Sequence, residues 1–171
     1  MSDEDYISRV VRVIGYIIVF ILFILEIAIF LRGLNSEWYK ALNTTTSSSL
    51  TGSIFSYVVA YAFALYGYYI LMQLGLSSYT NFLIGITILG LTLSILWDLV
   101  FFYINDILLA ALIQLAVATL YTWIMFVMFK LSSVVGILQL PLVLRSYYLF
   151  YQSVVLYLNN SSQSNLRPLM K

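Results

Sequence analysis

Hydrophobic positions in this chain run on rather than alternate. Five stretches, approximately residues 10–31, 53–73, 80–104, 107–129 and 134–158, are almost continuously apolar. Each matches the length of about 20 residues that a helix needs to cross a hydrocarbon layer roughly 30 Å thick. Polar residues collect between the stretches. The long connection is GLNSEWYKALNTTTSSSLTG at 33–52, a short amphipathic segment followed by a Ser/Thr run; the others, near 74–78, 103–106 and 129–133, are brief. Short connections force sequential helices to lie antiparallel and side by side. The pattern therefore predicts an all-α fold, an integral membrane bundle of five transmembrane helices, forming a single domain over residues 1–160 with a polar C-terminal tail at 161–171.

Composition sharpens this picture. Of 171 residues, 63% are hydrophobic and 9% charged, with a mean hydropathy of +0.99, far from the balance of a water-soluble domain. The first apolar stretch lacks a small-residue cleavage pattern, so it is expected to be retained as a span. No cysteine and no histidine occur, which removes disulfides, thiolate or imidazole metal ligation, and the usual general bases. An enzyme is the least favoured class, because acid–base chemistry would rest on carboxylates and tyrosines alone. A net charge of +1 offers no footprint for nucleic acid. Cations in the loops divide four (Arg32, Lys40, Arg167, Lys171) against three (Arg9, Arg12, Lys130), which places the long loop and C-terminus on the cytoplasmic side by a narrow margin. The lack of cysteine and the abundance of Ile and Tyr fit a prokaryotic plasma membrane.

Three ionisable residues interrupt the apolar runs: Glu26 in the first, Asp98 in the third and Arg145 in the fifth. At the centre of a span each costs roughly 2.5–3.5 kcal/mol, so each should face the bundle interior. Spans one, three and five run in the same direction. Glu26 and Asp98 then lie level, about six residues or about 9 Å below the long-loop side at 1.5 Å per residue, with Arg145 deeper and able to reach towards them. The expectation is a polar cavity in that half of the bundle in which Arg145 neutralises Asp98. A buried ion pair that joins helices, a ligand-facing role and a proton or ion path all remain open. Ser94 shares a helical face with Asp98. In the second span Tyr57, Tyr61 and Tyr68 also share a face, which suits either a π-rich pocket wall or interfacial belt and packing residues. Trp38 and Tyr39 in the long loop read as interfacial anchors or as a lid.

The motifs around these residues resemble the TspO/translocator protein family, the tryptophan-rich sensory proteins and peripheral benzodiazepine receptors. WYKAL at 38–42 is similar to the family's WYxxL in the first loop. FSYVVAYAFALYG from Phe55 to Gly67 resembles F-x-P-V-W-x-x-L-Y-x-x-x-G, SILWDLVFF at 94–102 resembles N-x-x-W-S-x-x-F-F, and PLVLRSYYLFYQSVVLYLNN from Pro141 to Asn160 resembles P-Y-x-x-W-x-x-F-A with its terminal L-N. They occur in the family's order and at its separations, over about residues 30–160.

The departures fall on the family's pocket. Val59 and Arg145 stand where the family has Trp, Ser94 where it has Asn, Asp98 beside Trp97 where it has a small polar residue, and NTTTSSS where its first loop is proline-rich. The resemblance implies a membrane receptor, sensor or transport protein that holds a porphyrin or another flat hydrophobic ligand beneath loop 33–52, with a weak porphyrin-degrading activity also proposed for the family. The implied ligand-binding set is Trp38, Tyr39, Val59, Tyr61, Ser94, Trp97, Asp98, Arg145 and Leu149. Expected partners are the lipid bilayer, the small hydrophobic ligand and a second copy in a homodimer; a porphyrin or haem would bind without His or Cys ligation, and no metal site is expected. The sterol motif needs a Lys or Arg within five residues after its Tyr, and Tyr157 is followed by LNNSSQSNL, so sterol is not an expected ligand. The alternative is a non-catalytic accessory subunit of a larger membrane complex.

Overall fold

A computed structural model describes residues 3–42 and 50–161. The expected lid loop therefore lies partly, and the polar tail almost wholly, outside the described residues. Helix α1 spans Asp3–Leu34, α2 Glu37–Ala41, α3 Leu50–Gln73, α4 Ser77–Leu99 followed by one π-helical turn at Val100–Ile104, α5 Ile107–Leu131 and α6 Ser133–Ser161. Five segments are long and apolar enough to cross a bilayer: Tyr6–Leu34, Phe55–Gln73, Ser78–Ile104, Ile107–Leu131 and Ser133–Asn160. The five-helix membrane bundle stands. Among the described residues no strand occurs.

The turns follow from their sequences. Gly75 takes φ +76°, and the Gly75 and Leu76 amides donate back to the Met72 and Leu71 carbonyls at 3.0 Å each. That is a Schellman stop, which glycine enters without a Cβ penalty. After the π turn Asn105 takes the left-handed conformation, and Asp106 caps α5 by accepting the Leu109 amide at 2.9 Å. Ser132 is extended and separates α5 from α6. α2 begins at Ser36, whose hydroxyl accepts the Tyr39 amide at 3.2 Å.

α5 packs along α6, α6 along α3, and α4 lies between α1 and α5. Side chains such as Phe20, Ile21, Phe126 and Leu144 cover the outside, as a lipid-facing surface requires. Inside, polar groups in the short-loop half are largely matched. Tyr68 shares a hydrogen bond with Thr87, the Tyr61 and Tyr121 hydroxyls meet at 2.7 Å, and Gln139 Nε2 donates to the Ala64 carbonyl at 3.3 Å. Arg12 donates to Asn81 Oδ1 at 2.9 Å and so ties α1 to α4. Close approach is secured by small residues: a Cβ on Gly90 would lie 2.7 Å from the Tyr121 ring, and one on Gly136 2.3 Å from the Phe129 ring.

Candidate functional site

The long-loop half is built differently. The π turn buries three consecutive residues, Val100, Phe101 and Phe102. Three in a row sweep about 200° in an α-helix, at 3.6 residues per turn, too wide for one buried stripe; the broader π turn brings both phenyl rings inward, as such insertions often do beside functional sites. Gly33 makes room on α1, since a Cβ there would fall 2.2 Å from the Phe102 ring.

The short helix α2 lies over this aromatic shelf. Trp38 packs edge-on against Phe101 at 5.3 Å, and Tyr39 against Phe102 at 5.7 Å. Burial pushes the Tyr39 phenol above its ordinary pKa. Trp38 and Tyr39 thus rest on the rings of Phe101 and Phe102.

Beneath it opens a cavity of about 260 Å³. Its apolar walls include Phe30, Leu34, Trp97, Phe101 and Phe102; Tyr39 contributes from α2, and Arg145 reaches it from α6. Arg145 Nη1 donates to Ser56 Oγ at 3.0 Å, and its guanidinium carbon sits 4.4 Å from the centre of the Tyr57 ring, a cation–π placement. Tyr57 in turn stacks on Phe23 of α1, with centroids 4.9 Å apart.

Below this cavity lies a second one of about 20 Å³, lined by Glu26, Ile27, Phe30, Tyr57, Trp97, Asp98, Arg145 and Leu149. Phe30, Trp97, Arg145 and Leu149 are shared by the two linings. Glu26 and Asp98 are 7% and 1% exposed, so both carboxylates turn inward. The expected Asp98–Arg145 pairing takes another form, because both carboxylate oxygens of Asp98 lack a hydrogen-bond partner. The two side chains face one small space without a direct hydrogen bond. The guanidinium is held towards α3 by the Ser56 hydroxyl and the Tyr57 π face.

Of the residues singled out in the sequence, Tyr39, Trp97, Arg145 and Leu149 line the larger cavity, and Asp98 lines the smaller. Trp38 stands behind the lining on Phe101. Tyr61 and Ser94 are buried but contribute to neither lining, and half-buried Val59 lies outside both. Sequence reasoning missed Phe30, Leu34 and the α6 face formed by Tyr148, Gln152, Ser153 and Leu156. That face could have been found by stepping three and four residues on from Arg145. Phe101 and Phe102 stood in the quoted SILWDLVFF motif, but nothing in its spacing announced a π turn.

The TspO/MBR family model matches residues 17–158. The chain belongs to the TspO/MBR family. No curated protein and no solved structure matches it. Membership agrees with the five apolar spans. This TspO/MBR chain places Glu26, Asp98 and Arg145 around the smaller cavity, with Arg145 shared by both.

Proposed function

We propose that this TspO-like membrane protein is a receptor or sensor for a porphyrin or another flat, amphipathic ring system bearing a carboxylate, with a role in transport or stress response. The observation that carries the reading is the guanidinium of Arg145 at an aromatic-walled cavity of about 260 Å³ beneath α2. An Arg fork binds a carboxylate through two parallel N–H···O bonds, while the rings of Trp97, Phe101 and Phe102 offer stacking and edge contacts to a planar body. The volume lies just below the range of roughly 300–1,000 Å³ typical of small-molecule pockets. A macrocycle therefore enters by one edge, carboxylate first. With no His or Cys in the chain, a haem would be held by its periphery rather than by those axial ligands.

On this reading the protein is non-catalytic and sits in a prokaryotic plasma membrane as a homodimer, with the long loop and C-terminus on the cytoplasmic side. Arg145→Ala should weaken protoporphyrin binding at least tenfold, equivalent to about 1.4 kcal/mol. The measurement is quenching of tryptophan fluorescence, for which Trp38 and Trp97 stand at the cavity. An unchanged affinity would remove the ligand role of Arg145 and, with it, the reading.

A further inference from the structure

The smaller cavity has features that ligand binding above it does not require. Four side chains around it carry buried polar atoms: both carboxylate oxygens of Asp98, Oε2 of Glu26 and Nε1 of Trp97 have no hydrogen-bond partner, and the Tyr57 hydroxyl faces Glu26. All four residues are at least nine-tenths buried, at 1%, 7%, 5% and 6% exposure. They come from α1, α3 and α4 and line one space of about 20 Å³. Buried polar groups are paired in the great majority of cases, so several orphaned atoms around one void mark a place built to hold something.

Charge and size narrow what that is. With both carboxyls ionised, two carboxylates against one guanidinium leave a single negative charge in surroundings where unbalanced charge is costly. One monovalent cation closes the balance, whereas a divalent ion would overshoot it. The volume is that of about one water molecule or one small ion. The available donors are hard oxygens, three from carboxylates and one from a phenol, the ligand type that suits non-transition cations. A proton on one carboxylate would supply the charge but fill no volume and serve only one oxygen. Arg145 does not block the space, because its guanidinium is drawn to Ser56 and to the Tyr57 ring on α3.

We infer that the cavity between Glu26, Tyr57 and Asp98 is a binding site for one small monovalent metal cation, of the size of sodium or lithium. The cation bridges α1, α3 and α4 directly below the larger cavity. Trp97 Nε1 donates to a water or oxygen that completes the shell. Arg145 is shared with the cavity above, so this charge balance is that of the protein with no carboxylate ligand bound there.

The test uses the full chain in detergent or nanodiscs, at fixed pH and constant ionic strength. Its melting temperature is measured in sodium, lithium, potassium and choline chloride, alongside equilibrium binding of radiolabelled sodium. Sodium and lithium should raise the melting temperature by several degrees over choline, potassium should do so less, and labelled sodium should bind at about one per chain. Asp98→Asn and Glu26→Gln should each remove the sodium increment and the bound label. Should one variant fail to fold, the other and the wild-type binding count still decide. Identical melting in all four salts with no bound label would overturn the inference, as would a sodium increment that survives both variants. Protoporphyrin binding is read separately, so failure of either reading leaves the other standing.

Discussion

The two halves of the bundle treat their buried polar side chains differently. Towards the short loops, Tyr68 and Thr87, Tyr61 and Tyr121, and Arg12 and Asn81 find one another across helices. Towards the long loop, Glu26, Trp97 and Asp98 are as deeply buried yet hold unpartnered atoms around a void. A matched buried hydrogen bond contributes about 1 kcal/mol, while an orphaned group costs about 1–3 kcal/mol and more if charged. One half therefore acts as frame, and the other gives up stability to keep a site open. The Tyr16 hydroxyl, unpartnered on α1, is the exception within the frame.

The sharpest way to break this contrast is to crowd the frame. Gly136 allows the Phe129 ring to approach the α6 backbone so closely that a Cβ would lie 2.3 Å from it. Gly136→Ala must displace an aromatic ring at the α5–α6 turn, and overpacking of this kind costs about 1–3 kcal/mol. The loss should be at the upper end of that range when reversible unfolding is followed in mixed detergent. A loss below about 0.5 kcal/mol, the scale of ordinary surface changes, would mean that this turn yields freely and is no rigid frame.

In the site half a polar deletion should have the opposite sign. Without sodium or lithium, Asp98→Asn removes a buried, desolvated charge although it leaves an unpaired carboxamide in its place, so it should stabilise the fold by about 2 kcal/mol through the charge alone. The same unfolding measurement, in choline chloride, checks the sign. A destabilised Asp98→Asn under those conditions would place Asp98 among the frame residues.

Both signs bear on how much could be read from sequence. The five spans were legible because crossing lipid demands long apolar helices, and the runs at 10–31 and 107–129 meet that demand without any tertiary information. The inward orientation of Glu26 and Asp98 was legible for the same reason, since lipid rejects a carboxylate. Whether Arg145 would reach Asp98 was not, because the choice lay with a Ser56 hydroxyl and a Tyr57 ring on another helix. The one-faced set Tyr57, Tyr61 and Tyr68 shows the limit most clearly. Periodicity placed all three on one face, but only the positions of Tyr121 and Thr87 decided that Tyr61 and Tyr68 pack in the frame while Tyr57 faces the void. The π turn that turns Phe101 and Phe102 together into the cavity leaves no period in the sequence.

A subtler probe of the frame is Tyr68→Phe. It removes the hydroxyl that meets Thr87 in a fully buried position while keeping the ring. Thr87 still donates to the Leu83 carbonyl at 2.9 Å, so only one partner is lost, and the cost should be about 1 kcal/mol. Protoporphyrin affinity should stay unchanged, because Tyr68 lines neither cavity. A binding loss without a stability loss would reverse the assignment of the two halves.

The smallest expected effect sits on the same helix as the cavity wall. α4 carries two glycines in its frame portion: a Cβ at Gly90 would lie 2.7 Å from the Tyr121 ring, whereas a Cβ at Gly85 would meet nothing within 4 Å. Glycine inside a helix forgoes about 0.5–1 kcal/mol relative to alanine through its extra backbone freedom. At Gly85 that gain should appear without a steric penalty, so Gly85→Ala should stabilise the protein by about 0.5 kcal/mol. At Gly90 the ring contact outweighs it, because Tyr121 is fixed by its hydrogen bond to Tyr61 and cannot withdraw without breaking it. Both variants should unfold at measurably different denaturant concentrations, one above and one below the parent. A stabilising alanine at both positions would mean that Tyr121 moves freely, and that the short-loop half owes its order to lipid rather than to its own packing.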